Sequence, residues 1–357
     1  MLTERRYDID WLRVITIALL LIYHIAIVFQ PWGFYIGFIQ SMEAWESLWI
    51  PMSMLNIWRI PLLFFVSGIG VCFAIQKRDA KQLLSERSKR IFLPFLFGVL
   101  FIVPIHIMIW QKYYGQTPTY HFSQGHLWFL ANIFIYVIVL SPLFFYLKRK
   151  NGKFQLLLQK LLKTPLALIV VSISFVLESI IMKPDPFEMY ALSMHGFYLG
   201  LLAFFFGFCF VLSGNIFWNN LAKWKYLYFF LAVILYSIRY VEFQLKAPVY
   251  LMAIESVTWI FAVLGFAYQY LNRPSRILSY LSQAAYPIYI LHMIFLYAAS
   301  YVILPLSISV VLKFTLIVAF TFTGCYVCYE TIRRNRILRL FFGLKTPKSK
   351  KLQLELQ

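Results

Sequence analysis

The sequence has few charged residues, and acidic residues are especially scarce. Only 13% of its 357 residues are Asp, Glu, Lys or Arg, and only 14 are Asp or Glu, whereas 61% are apolar. Soluble domains carry about 25% charged and about 45–50% apolar residues. This composition excludes a soluble enzyme and a disordered chain. The four cysteines are too few for a disulfide-stabilised scaffold.

Long apolar runs take the place of the missing charge. The mean hydropathy is +0.73, and a helix needs about 20 apolar residues to span a bilayer. We therefore predict an all-α polytopic membrane protein with about ten transmembrane helices. The predicted spans are 12–30, 55–75, 92–111, 128–147, 165–182, 196–213, 226–244, 251–271, 282–303 and 307–329.

The net charge of +19 is explained by where the basic residues lie. Of the 33 Lys and Arg residues, 27 lie in the N-terminal segment, the even-numbered connections between spans or the C-terminal tail. Because cytoplasmic segments are enriched in Lys and Arg, both termini are predicted to be cytoplasmic. The lipid bilayer is then the expected partner, and nucleic acid is not. We expect a membrane domain over residues 1–343 and a basic cytoplasmic tail over 344–357.

The first connection, residues 31–51, is rich in aromatic residues. It contains Trp32, Phe38 and Trp49 with two acidic residues. This composition indicates either an interfacial helix at the level of the lipid headgroups or the mouth of an outer cavity.

Arg13 and His24 form a polar stripe along the first span. They are eleven residues apart, which is three helical turns plus about 20°, so they face the same direction about 16 Å apart along the axis. Arginine is suited to phosphate, and imidazole is the usual general base near neutral pH. An extended cytoplasmic donor with a phosphate head and a reactive far end, such as acyl-CoA, fits this stripe.

A second basic pair precedes the third span. Arg87 and Arg90 are spaced i,i+3 and therefore share one helix face at the cytoplasmic edge. The pair either anchors the helix by the positive-inside rule or, together with Arg13, binds phosphate.

These residues carry the pattern of a known family. The Arg13 and His24 motif within YDIDWLRVITIALLLIYH resembles the first helix of the acyltransferase 3 family of integral membrane O-acyltransferases. Further resemblances, in family order, are FFVSG, the R-x-x-R of Arg87 and Arg90, HLWFL, YPIYILH and the closing YETIRRNRILRLFFG. WRIPLLFFVSG, HLWFL and ESVTWIFAVLG most resemble the branch of the glucans biosynthesis protein C, whose members are glucan succinyltransferases.

The resemblance implies transfer of an acyl group, succinyl or acetyl, from cytoplasmic acyl-CoA to a saccharide hydroxyl at the outer face. It implies that His24 is the general base and that Arg13, Arg87 and Arg90 bind the donor. Ser67, followed by a glycine, would let helices approach closely near the channel. The expected co-substrate is acyl-CoA, with no permanently bound cofactor and no metal. The resemblance also implies a bacterial inner (plasma) membrane location.

Other polar residues in the spans have open roles. An acid is expected to orient the imidazole, with Glu255 and Glu330 as candidates, although Glu330 could instead pair with a cytoplasmic arginine. Arg59 either reaches lipid headgroups, which we favour, or holds an anionic acceptor. The remaining candidates are His126 and Trp128, which either meet the sugar or belong to an interfacial aromatic belt, and His292, which either lines the channel or packs in the core.

A transporter or exporter of an anionic saccharide or lipid-linked substrate is the main alternative function. Ten spans and intramembrane charges fit a transporter equally well when the motifs are set aside. A catalytically idle membrane sensor that keeps the scaffold is a third reading.

Overall fold

The computed structural model describes residues 5–149 and 153–345. Helices account for almost all of the regular structure, and no β-strand occurs in these two stretches. The protein is therefore an all-α polytopic membrane protein, as predicted.

Twelve α-helical stretches, numbered here in chain order, make up the described chain. They are α1 Tyr7–Ile27, α2 Trp49–Lys77, α3 Ala80–Tyr113, α4 Trp128–Arg149, α5 Lys153–Leu162, α6 Leu166–Met182, α7 Met194–Leu212, α8 Asn215–Val241, α9 Val249–Tyr270, α10 Arg276–Ile303, α11 Val310–Arg334 and α12 Arg336–Phe341.

The number of helices able to span a membrane agrees with the prediction of about ten. Within the described chain, nine helices are long and apolar enough to cross a bilayer. The count becomes ten if α6 forms a span together with α5, from which it is bent by 102°. The helix α6 corresponds to the fifth predicted span, and with only 17 residues it is short for a helix that crosses a bilayer.

Glycines let α2 lie directly against α7. A Cβ atom on Gly68 would lie 1.9 Å from the carbonyl oxygen of Phe204, and one on Gly207 would lie 2.1 Å from that of Phe65. No side chain fits such a gap, so the two backbones touch, as small residues allow in membrane helix pairs. The neighbouring Ser67 donates its hydroxyl to the carbonyl of Leu63 and thereby satisfies its own polar group.

The helix α1 packs against α2 and α10. The helix α3 contains two π-helical segments, Ser88–Phe92 and Gly98–Ile102. Such segments rotate the face of a helix and are common near functional sites. The first of them contains Arg90, and its preceding residue is Arg87, so local backbone geometry determines where these two guanidinium groups point.

The aromatic connection between α1 and α2 is not one interfacial α-helix. It contains two short 3-10 turns, Gly33–Ile36 and Glu46–Leu48. It folds back on the residues just after α1, where the backbone N–H of Ser41 donates to the carbonyl of Val28 and that of Trp45 to the carbonyl of Phe29. Its alternative reading, the mouth of a cavity, agrees with the structure. Most of the predicted basic tail, residues 346–357, lies outside the described residues.

Candidate active site

One cavity of about 1980 Å³ runs along the whole length of α1. At its basic end, the lining includes Arg5, Arg13, Arg78, Arg87 and Arg90. At its aromatic end, the lining includes Trp32, Phe38, Trp49 and Trp110. His24 lies on the wall between these two ends.

His24 is hydrogen-bonded to a second histidine. Its Nδ1 atom lies 2.8 Å from Nε2 of His292, and the two rings are stacked with centroids 5.1 Å apart. His292 is completely buried on α10. It is therefore the partner that positions His24, a role that its sequence position alone did not reveal.

Hydrogen-bond logic assigns the tautomers of this pair. Nδ1 of His292 lies 2.7 Å from the carbonyl oxygen of Tyr289. A carbonyl oxygen only accepts, so His292 carries its proton on Nδ1 and its Nε2 must accept. His24 therefore donates from Nδ1. Its Nε2 keeps a free lone pair and has no hydrogen-bond partner among the described residues, which is the state that a general base requires.

The basic end of the cavity gathers more positive charge than its acidic neighbours neutralise. Arg78, Arg87 and Arg90 all lie within 4 Å of the single carboxylate of Glu86. Arg13 has only a 3.5 Å contact with Asp10. The surplus positive charge faces the cavity and suits a ligand with several phosphate charges.

His126 and Trp128 line the cavity instead of forming part of an interfacial aromatic belt. The Nε2–H of His126 donates to the carbonyl of Ile290 over 3.1 Å, and its ring meets the His292 ring edge-to-face at 4.9 Å. Trp128 is buried. His126 thus contacts the histidine pair, whereas Trp128 and Ser67 line the same cavity.

Arg59 does not reach the lipid headgroups. Its side chain is 1% exposed, and its guanidinium lies over the ring of Tyr23 at 4.0 Å. The helix α2 directs it inward because it packs against α1, so the side chain that we expected at the membrane surface lines the cavity.

Neither acid that we proposed to orient His24 contacts it. Glu255 is buried and accepts two hydrogen bonds from Arg239, at 2.7 and 3.0 Å. Glu330 accepts from Tyr280 at 2.6 Å and from Arg333 at 2.8 Å. Both carboxylates are thus neutralised elsewhere, and a histidine takes the place we had assigned to an acid.

Sequence reasoning also missed Glu188, which lies in the loop between α6 and α7. It lines the cavity and lies 3.7 Å from Arg239. Burial raises the pKa of Glu188, and the positive charge of Arg239 opposes that shift. The sequence offers little signal for this residue because it lies outside every predicted span. Its position becomes visible only when the loop folds over the bundle.

Four histidines lie near one another, since His106 and His126 are 5.6 Å apart by ring centroid and the latter touches the histidine pair. Nevertheless, within residues 5–149 and 153–345, no group of three or more His, Cys, Asp or Glu side chains is arranged to hold a metal ion.

Comparison with known proteins gives one match. A family model described as an acyltransferase domain, that of the acyltransferase 3 family, matches residues 6–330. No curated protein and no solved structure matches the chain.

Proposed function

Since this chain belongs to the acyltransferase 3 family and is a multi-pass membrane acyltransferase, we propose that it transfers an acyl group from acyl-CoA to a saccharide hydroxyl. The observation that carries this proposal is the free lone pair on Nε2 of His24, held inside a cavity with one strongly basic end. We place the protein in a bacterial plasma membrane with its basic end cytoplasmic, which agrees with the positive-inside rule.

In this proposal the basic end binds the donor. Arg13, Arg87 and Arg90 hold the phosphates of CoA, and the thioester arm extends along α1 toward His24. Arg13 and His24 are about 16 Å apart along the helix, a distance that an extended pantetheine arm covers. The surplus of guanidinium groups around Glu86 supports this assignment.

The aromatic end receives the acceptor. Indole and phenyl faces pack against the apolar face of a sugar ring, and a few polar groups fix its orientation. Trp32, Trp49 and Trp110 offer such faces, while Asn56 and Glu188 offer polar groups on the same lining. These features support a saccharide acceptor. We favour a succinyl or acetyl group on a cell-envelope glucan, a choice that rests on the branch resemblance.

The reaction then needs one base. His24 removes the proton of the acceptor hydroxyl through Nε2 while the oxygen attacks the thioester carbon. The tetrahedral intermediate collapses when its C–S bond breaks, and the protonated His24 returns the proton to the CoA thiolate. His292 positions the imidazole throughout, because the carbonyl of Tyr289 fixes its own tautomer.

His24→Ala tests the catalytic assignment. We expect purified protein in lipid nanodiscs to lose acyl transfer by about 100-fold or more, because general-base assistance contributes about 10²–10⁴-fold. Binding of CoA should persist. The matched control is His121→Ala, since His121 is exposed and lies outside the cavity. Unchanged transfer in the His24 variant would refute the assignment, and substrate flux without CoA release would favour a transporter.

Arg87→Gln and Arg90→Gln test the donor end separately. We expect each variant to raise the Kd for acyl-CoA by about 5- to 30-fold, because a charge-assisted hydrogen bond to phosphate contributes roughly 1–2 kcal/mol. Acceptor binding should change little. An equal loss of donor and acceptor affinity would argue against a donor site at this end of the cavity.

A further inference from the structure

Arg59 is a buried cation without a neutralising partner. Its side chain is 1% exposed, and its Nε atom is buried with no hydrogen-bond partner. Its one hydrogen bond is a long one, 3.4 Å from Nη1 to the carbonyl oxygen of Leu19. Among the described residues, no carboxylate lies within salt-bridge distance of this guanidinium. Burying a charge without a counter-ion is unfavourable, so a structural role does not explain its position.

The contact with Tyr23 does not neutralise this charge. The guanidinium carbon lies 4.0 Å from the ring centroid of Tyr23, a cation–π arrangement that fixes its orientation. Such a contact stabilises a cation by less than the cost of burying it without a counter-ion. The tyrosine therefore holds the guanidinium in place and leaves its charge available to the cavity that Arg59 lines.

The guanidinium of Arg59 lies close to the proposed base, on its donor side. Since 4.0 Å separates it from the Tyr23 ring and 5.8 Å separates the Tyr23 and His24 rings, it lies within about 10 Å of His24. Its contacts with Leu19 and Tyr23 place it one to five residues before His24 on α1, about 2–8 Å toward Arg13. A thioester that arrives from the basic end therefore passes the level of Arg59 as its carbonyl carbon approaches His24.

We propose that Arg59 is a further catalytic residue, which stabilises the oxyanion of the tetrahedral intermediate; this inference rests on the proposed acyl transfer. When the acceptor oxygen bonds to the thioester carbon, the carbonyl electron pair moves to oxygen and the hydroxyl proton moves to Nε2 of His24. The new negative charge then forms on the donor side of His24, where Tyr23 holds the guanidinium of Arg59. Collapse restores the carbonyl and releases the CoA thiolate, which takes the proton back from His24.

Placement on the donor side of His24 favours the oxyanion over an acidic group of the acceptor. An acceptor enters from the aromatic end and reaches His24 before it reaches the level of Arg59. A positioned donor that meets charge only in the transition state also raises kcat more than it lowers KM.

The test is Arg59→Met, measured on nanodisc-embedded protein with acetyl-CoA and succinyl-CoA as donors. We expect kcat to fall by about 100-fold or more with both donors, as loss of an oxyanion-hole donor typically causes, while both KM values change less than threefold. Arg59→Lys, which keeps the charge, should recover part of kcat. Lys112→Met is the matched control, because it removes a positive charge outside the cavity.

Each contrary result has a distinct meaning. Wild-type kcat in Arg59→Met, beside an inactive His24→Ala, overturns this inference and leaves the proposed function standing. If only the KM for succinyl-CoA rises, the inference is overturned in favour of a site for the carboxylate of the succinyl group. If only the KM for the acceptor rises, it is overturned in favour of an acceptor site. If both Arg59 variants fail to fold, the residue is structural and the inference is wrong. Wild-type protein that consumes no acyl-CoA overturns the proposed function and this inference together.

Discussion

Two buried arginines in this protein have opposite surroundings. Arg239 is completely buried and meets Glu255 through two short hydrogen bonds, Glu188 at 3.7 Å and the carbonyl of Ser53. Arg59 is equally buried, yet its contacts are one aromatic face and one long hydrogen bond. The charge of Arg239 is neutralised by carboxylates of the protein, whereas the charge of Arg59 has no counter-ion among the described residues and faces the cavity.

The different surroundings of the two arginines predict different roles, in stability for Arg239 and in function for Arg59. A buried ion pair with both partners present is close to neutral in energy, but it becomes strongly destabilising when one partner is removed. A buried charge without a partner is unfavourable in the empty protein and becomes favourable only when an anionic group arrives. We therefore expect the region around Arg239 to respond to mutation through folding, and the region around His24 and Arg59 to respond through turnover.

Arg239→Met should give the largest loss of stability. The substitution leaves the carboxylates of Glu255 and Glu188 buried without their cation, which costs about 3–5 kcal/mol. The measurement is the free energy of unfolding in mixed micelles. Arg59→Met is the comparison variant, and equal destabilisation of the two variants would break the distinction between the two arginines.

His292→Phe should reduce turnover without unfolding the protein. The substitution removes the acceptor of the Nδ1–H of His24, so the imidazole no longer has one fixed tautomer. We expect kcat to fall by about 10- to 100-fold, a part of what a general base contributes. His292→Gln, whose amide oxygen can accept the same proton, should retain more activity. Equal losses in the two variants would indicate that His292 only packs the core.

Glu255→Gln should destabilise the protein less than Arg239→Met does. The amide keeps one hydrogen bond to Arg239 but does not neutralise the positive charge of that guanidinium. We therefore expect the free energy of unfolding to fall by about 1–3 kcal/mol. The free energy of unfolding measures this effect, and transfer by the protein that remains folded should stay near the wild-type rate. If Glu255→Gln lowered kcat without lowering stability, Glu255 would have a role in the reaction.

Glu188→Gln should have the smallest effect, because this carboxylate lies 3.7 Å from Arg239, whereas Glu255 lies 2.7 Å from it. Burial raises the pKa of Glu188 in the folded chain, so the folded state binds the proton more tightly than the unfolded state. The wild type should therefore lose stability as pH rises from about 4.3, the unfolded value, toward that raised pKa. The variant should lack this component, and identical pH profiles would contradict the assignment.

In the first helix, α1, helical periodicity was enough to predict which side chains share one face. Arg13 and His24 were predicted to share one face, and both line the cavity. That agreement follows from geometry within a single helix, where 100° per residue determines which side chains align. The i,i+3 spacing of Arg87 and Arg90 likewise predicted a shared face, and both line the basic end.

Contacts between side chains on different helices could not be predicted from the sequence. His292 lies 268 residues after its partner His24, and its motif gave no sign of the contact. The two acids expected at His24 are engaged by Arg239, Tyr280 and Arg333 instead. The position of Arg59 was misjudged because depth along a helix does not reveal which neighbour that helix packs against.

The sequence by itself determined that this chain is a helical membrane protein with about ten spans, since apolar length and charge distribution are read directly by the bilayer. Its ordered motifs also determined the acyltransferase family. Tertiary structure alone decided which nitrogen of His24 is free, which partner holds its ring and which arginine stays unpaired. The physical reason is that hydrogen bonding and charge neutralisation depend on distances of a few ångströms between helices, and these distances are set by packing of the whole bundle.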